Sequence, residues 1–238
     1  MNEMTEVSQT AGRPTPAEIN ETIHYTTFLA FQLDDRIANS AAATKSYKAW
    51  LVECASAGVT VRGAYDLTAL RADSALLLWL HADTAEQLQK ATHAFSRTKF
   101  GSHFSPTWTG MGIHRPAEFN RSHVPAFMQG YAPKTWLCFY PFVRSHEWYL
   151  LPEEERSEML REHGVAGHKF KGVQSNTVSS FALGDYEWLL ALESEDLHEI
   201  VDMMRELRNT AARRHVREEV PFFTGSIIDP TQIGETFA

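Results

Sequence analysis

The alternation of apolar and polar positions divides this chain into strands and helices whose order occurs twice. The first run, His24-Tyr25-Thr26-Thr27-Phe28-Leu29-Ala30-Phe31, is β-branched and aromatic and reads as a strand. An Ala-rich helical stretch follows at about 40–57, then two strand-like runs at 59–66 and 75–81 around a polar turn. Thr84, a good N-cap, opens a helix predicted to reach about Ser96, and a strand near 107–114 closes the set. The order is β-α-β-β-α-β, the ferredoxin-like arrangement.

The second half repeats it. Lys134 to Arg144 predicts a strand, and 152–163 a helix with Glu153, Glu154 and Glu155 in its first turn, where negative charge suits the helix dipole. Gly164 is placed to stop that helix. Strands at 173–181 and 187–192 flank the Gly184-Asp185 turn. One long helix is expected from Asp196 to about His215, with apolar positions Leu197, Ile200, Val201, Met204, Leu207 and Ala211, and a last strand at 221–228. The fold class expected is therefore α+β: two ferredoxin-like domains in tandem, at 21–115 and 134–238, each an antiparallel sheet with helices on one face. A proline-containing linker at 116–133 joins them, and residues 1–20 read as a flexible tail.

The strand at 134–144 is apolar on both sides. Trp136, Cys138, Tyr140, Phe142 and Arg144 share one face, while Leu137, Phe139, Pro141 and Val143 share the other. Such a strand is covered twice: by the partner domain, by another subunit or by a large flat ligand.

The 238 residues suffice for one large domain or two small ones. A net charge of -8 argues against nucleic-acid binding, which needs a basic surface, but leaves room for a local basic pocket. Cys54 and Cys138 lie in apolar surroundings without metal-ligand spacing, so free buried thiols in a reducing cytoplasm are expected. The first residues lack a secretory signal pattern, and no apolar run has the length of a membrane span.

The chemistry worth weighing lies around the second half's first strand. Tyr140 and Arg144 share a face, and His163 stands on the next helix, with Met159 and Leu160 one turn before it. A phenol, a fixed cation and an imidazole within one supersecondary unit are parts that a porphyrin site needs. Each also has a plain explanation: a capping or core histidine, a packed tyrosine, a solvated arginine at a strand end. His123, in the linker, is either a surface histidine or an acid/base carried over the sheet. There is no phosphate loop and no nucleophile elbow.

Three segments together closely resemble the coproheme decarboxylases, within the actinobacterial branch of the chlorite-dismutase superfamily. They are Tyr140-Pro141-Phe142-Val143-Arg144 on to Pro152, then Arg161-Glu162-His163-Gly164, then Asn176-Thr177-Val178-Ser179-Ser180 on to Trp188. The resemblance implies a homopentamer of paired ferredoxin-like domains with the porphyrin in the C-terminal one. It implies oxidative decarboxylation of two propionates of iron-coproporphyrin III (coproheme) to vinyl groups, with hydrogen peroxide as oxidant and haem b as product. The iron substrate then doubles as redox cofactor.

Carried onto this chain, the resemblance makes His163 the proximal iron ligand, Tyr140 the tyrosine that becomes a radical and His123 the distal base. Arg144 stands where other branches carry a lysine, as a propionate-binding cation. Arg213 is the next propionate candidate, with Arg208 and Arg214 as competitors; Trp148 and Trp188 line the pocket or simply pack the sheet. No distal arginine of the kind that chlorite conversion needs can be placed. Transient contact with a coproporphyrin ferrochelatase is a further implied partnership. A haem b peroxidase and a non-catalytic haem carrier remain the alternatives.

Overall fold

A computed structural model describes residues 13–117 and 124–238. The first half contains α1 (Pro16–Asn20), β1 (Tyr25–Leu33), α2 (Ser40–Ser56), β2 (Val59–Asp66), β3 (Leu76–Ala82), α3 (Ala85–Ser96) and β4 (Phe104–Ile113). The second contains β5 (Trp136–Arg144), α4 (Glu153–Gly167), β6 (Gln174–Ser179), β7 (Trp188–Ser194), α5 (Leu197–Leu207), β8 (Val216–Glu218), β9 (Phe223–Ile227) and α6 (Ile233–Thr236). The expected α+β class holds, and each half has the ferredoxin-like strand order: β4-β1-β3-β2 in the first and β6-β7-β5-β9 in the second. Local signals place the elements as anticipated. Thr84 and Gln87, for example, form a reciprocal capping box at the start of α3.

The two sheets do not stand apart. β2 meets β9 through Tyr65↔Ile227 and Asp66↔Ser226, and β4 meets β6 through Ile113↔Ser179. Since β5 also pairs with both β7 and β9, all strands except β8 close into a ring. Closure satisfies the sheet edges that would otherwise invite foreign strands. Each seam carries a glycine where a side chain would collide: a Cβ on Gly225 would meet the Asp66 carbonyl, and one on Gly112 the Val178 side chain.

Three apolar layers result. Inside the ring, Phe28, Trp79, Leu137, Phe139, Leu189 and Phe223 pack together. Phe28 of the first half stacks on Phe139 of the second with ring centroids 3.9 Å apart. Outside the first sheet, α2 and α3 bury Tyr47, Trp50 and Phe95; outside the second, α4 and α5 cover Cys138, Tyr140 and Phe142. The two faces read for β5 are thus the ring interior and the helix layer, and its coverage from both sides comes from the partner sheet and from α4 and α5.

A buried ion pair also joins the halves. Arg62 of β2 contacts Glu193 of β7 at 2.7 Å, their side chains 4% and 0% exposed. Asn176 donates to the same carboxylate and accepts from the Phe127 backbone N–H, while Arg62 donates to the Tyr131 carbonyl. The chain leaving the linker is thereby tied to both sheets. Desolvation raises the Glu193 carboxyl above its ordinary value against the pull of Arg62.

Several expectations change. Within the stretch read as tail, residues 16–20 form α1, held by a Thr15–Glu18 capping box and the burial of Ile19. Gly164 does not stop α4, which runs to Gly167 because Ala166 is buried among the α5 residues and Gly167 lies against Met203. The long helix breaks: α5 ends at Leu207, and a separate 3-10 turn spans Ala211–His215. Its buried stripe is Ile200, Met203 and Leu207, whereas Val201 is exposed. Within the linker, Ala126–Gln129 forms a 3-10 turn that buries Ala126 and Phe127. Cys54 and Cys138 are free and buried, as read.

Glu193→Ala leaves Arg62 uncompensated in the interior and should lower unfolding stability by about 3–5 kcal/mol in urea titrations. The double variant Arg62→Met/Glu193→Leu should recover a large part of that loss.

Candidate active site

Tyr140 projects from β5 into the layer beneath α5 and is buried. Its Oη donates to Met204 Sδ at 3.5 Å, and its ring stacks on Phe222 at 4.6 Å. Burial, reinforced by Glu219, pushes the phenol well above its ordinary pKa, so it is neutral at physiological pH. A phenol in that state carries both a proton and an oxidisable ring.

Arg144 follows on the same face at the end of β5. Its guanidinium lies over the Trp148 ring at 4.3 Å and the Phe142 ring at 5.2 Å, with the Ala212 carbonyl 3.5 Å away. Glu187 accepts from the Arg144 backbone N–H at 2.8 Å rather than from its guanidinium. Burial lowers the pKa of Arg144, yet a guanidinium remains charged in protein surroundings. Among the described residues no carboxylate forms an ion pair with it, and a desolvated cation of this kind favours an incoming anion.

His163 sits inside α4, half-buried, with Nδ1 3.2 Å from Thr210 Oγ1. The Thr210 hydroxyl donates to the Leu207 carbonyl at 3.0 Å, so it accepts from His163 Nδ1–H. This assigns the tautomer with the ring lone pair on Nε2, the nitrogen suited to a metal. Among the described residues no group of three or more His, Cys, Asp or Glu could hold a metal ion.

The break after α5 organises these groups. Thr210 orients His163, the Ala212 carbonyl faces Arg144, and Arg213 pairs with Glu219. Arg208, at the C-cap of α5, pairs with Glu219 as well, at 2.8 Å, whereas Arg214 is exposed. Trp148 is buried beneath Arg144. Trp188, on β7, lies near-parallel to Phe142 at 6.2 Å and donates to Tyr149 Oη, which in turn donates to Glu187. Tyr140, Arg144, Trp148 and Trp188 therefore share one region of the second sheet's outer layer, with His163 on α4 joined to the neighbouring turn through Thr210. His123 lies outside the described residues.

The sequence reading missed Thr210 and Glu219, and took Met204 only as an apolar helix position rather than as a partner of Tyr140. The polar Asn209-Thr210 pair was the available sign that the helix ends there, overridden by apolar periodicity continuing to Ala211.

Residues 39–228 match the chlorite dismutase family. A coproheme decarboxylase from Mycolicibacterium smegmatis is 50% identical over 216 residues, covering 87% of this chain and 91% of that protein. A doubly substituted chlorite dismutase from Candidatus Nitrospira defluvii superposes with a TM-score of 0.80 at 24% identity, over 90% of this chain and 95% of the other. The same organism's enzyme in complex with imidazole gives 0.80 at 22% identity, over 90% and 94%. With this fold, the chain belongs to the chlorite dismutase family. The sequence relative places it beside the coproheme decarboxylases within that family.

Burial raises the Cys138 thiol to about 11 and the Cys54 thiol to about 12. Iodoacetamide at pH 8 should leave both unmodified in the native protein and label both in denaturant, counted by intact mass.

Proposed function

We propose that this protein is the enzyme that decarboxylates two propionates of iron-coproporphyrin III oxidatively, using hydrogen peroxide and yielding haem b. The observation that carries this reading is the convergence on the turn after α5. One short segment orients the imidazole of His163 and borders the anion-ready guanidinium of Arg144, while α5 supplies Met204 to the neutral phenol of Tyr140. The identity to a coproheme decarboxylase supports the choice of substrate.

The residues fit an iron porphyrin carrying carboxylates: one nitrogen ligand, apolar and aromatic walls, and cations without enough anions. The bound iron, reacting with peroxide, supplies the oxidising equivalents. His163 holds the metal through Nε2, and Thr210 keeps Nδ1 protonated and the ring aligned. Arg144 binds a propionate carboxylate and so fixes where its β-carbon lies. Trp148 supports Arg144 from beneath, and Trp188 closes the wall beside Phe142. Tyr140 gives up a proton and an electron together, since its buried phenol resists becoming an anion, and the radical takes a hydrogen atom from the propionate β-carbon.

For each propionate, the carboxylate, one hydrogen peroxide and one proton become a vinyl group, carbon dioxide and two waters. His123 is assigned the removal of the first peroxide proton, for which a neutral imidazole is suited near pH 7. Positioning the phenol against the reacting side chain governs the rate. Homopentameric assembly, a cytoplasmic location and transfer of substrate from a ferrochelatase belong to the same reading.

Tyr140→Phe should bind coproheme with affinity near that of the wild type but form no haem b when peroxide is titrated in, followed by product masses. Full turnover by that variant would remove the radical role. His163→Ala should abolish the five-coordinate ferric spectrum of the bound substrate; an unchanged spectrum points to another ligand. His123→Ala should slow peroxide activation by about 10²-fold. That defect should shrink as pH rises, because peroxide then ionises without help.

A further inference from the structure

Glu219 takes no part in the chemistry above, yet it holds two arginines of the candidate site at once. Its side chain is 13% exposed and receives Arg208 Nη2 at 2.8 Å together with Arg213 Nη1. The two arginines come from different elements, the C-cap of α5 and the following 3-10 turn, so one carboxylate holds two separately anchored cations. All three groups bear electrostatically on the Tyr140 phenol. Three residues further on, Phe222 stacks on the Tyr140 ring. The strap from Glu219 to Phe222 thus presents a carboxylate to the arginine pair and an aromatic ring to the phenol at the same time.

Guanidinium forks match carboxylates in general, a propionate as well as a glutamate. Two cations on one anion leave net positive charge, which suits exchange of one carboxylate for another. Exchange also avoids the cost of leaving the cations bare.

We propose that Glu219 is an internal stand-in for a ligand carboxylate, occupying the Arg208–Arg213 pair until a porphyrin propionate displaces it. The proposal rests on the function proposed above and names Glu219 as its determinant of carboxylate selectivity. Ligand affinity is lowered by the fraction of molecules in which Glu219 holds the pair. A propionate that becomes a vinyl group loses its charge with carbon dioxide, and Glu219 then regains the arginines. The product, with two fewer carboxylates, is released more readily than the substrate.

The test uses the full chain with two iron-free probes: coproporphyrin III, with four carboxylates, and protoporphyrin IX, with two. Binding is read from tryptophan quenching, and dissociation from stopped-flow displacement. Glu219→Gln should tighten coproporphyrin III binding by about tenfold, chiefly through slower dissociation, and change binding of protoporphyrin IX, which lacks the two reacting propionates, by less than about twofold. Glu219→Asp, which keeps the charge, should stay closer to the wild type, and Arg213→Gln should weaken coproporphyrin binding. Unchanged or weaker coproporphyrin III binding by a folded Glu219→Gln protein, or equal tightening of both probes, while the wild type binds both, overturns the stand-in and leaves the proposed function intact. A Glu219→Gln protein that fails to fold makes Glu219 a structural counter-ion and also overturns it. Wild-type protein that binds neither porphyrin overturns both readings.

Discussion

Strand β5 is apolar on both faces, and the rest of the molecule is arranged to cover it twice. Leu137 and Phe139 point into the closed ring, where Phe139 stacks on Phe28 of the first half. Cys138, Tyr140 and Phe142 point the other way, into the layer made by α4 and α5. Exposing either face would leave large aromatic surface in water, at a cost of about 1.5–3 kcal/mol for each side chain of that size. The pairing of the two sheets and the docking of α4 and α5 are the two answers to that one constraint. They also separate the tasks: the inner face joins the halves, and the outer face carries the groups available for chemistry.

Charge is placed in the same two-sided way. Inside, Arg62 and Glu193 match each other and the surrounding amide and carbonyl groups, so their network ties sheets and linker without surplus charge. Outside, cations exceed the anions facing them: Arg144 rests on aromatic rings, and Arg208 and Arg213 share Glu219. A matched buried pair is structural, whereas an unmatched cluster beside a buried phenol has binding capacity. The inner cluster is also the buried one, whereas Arg208 and Arg213 are half-exposed.

The turn after α5 shows how a small irregularity assembles a site. A continuous helix would have pointed residues 210–213 in directions set by its own period. The break at Thr210 instead lets its hydroxyl reach His163, the Ala212 carbonyl face Arg144 and Arg213 reach Glu219. Contacts to α4, to β5 and to the segment after β8 follow from leaving regular structure for a few residues.

The doubled β-α-β-β-α-β order, the two faces of β5 and the grouping of Tyr140 with Arg144 were legible in the sequence, because strand periodicity, caps and turn residues act over a few positions. Those signals are local, and they remain so in the fold. Local reasoning failed where distant packing decided the outcome. Gly164 stays helical because Ala166 and Gly167 find partners on α5, and the predicted long helix ends at Leu207 despite an apolar pattern that continues to Ala211. Ring closure, the Arg62–Glu193 bridge and the pairing of Glu219 with two arginines join residues far apart in the chain or held by different elements. Their geometry is set by how those elements and segments are placed together. The amino-acid order thus determined the elements and the chemical parts, while tertiary packing decided which parts meet, since contact between elements depends on their joint placement rather than on any segment's own preference.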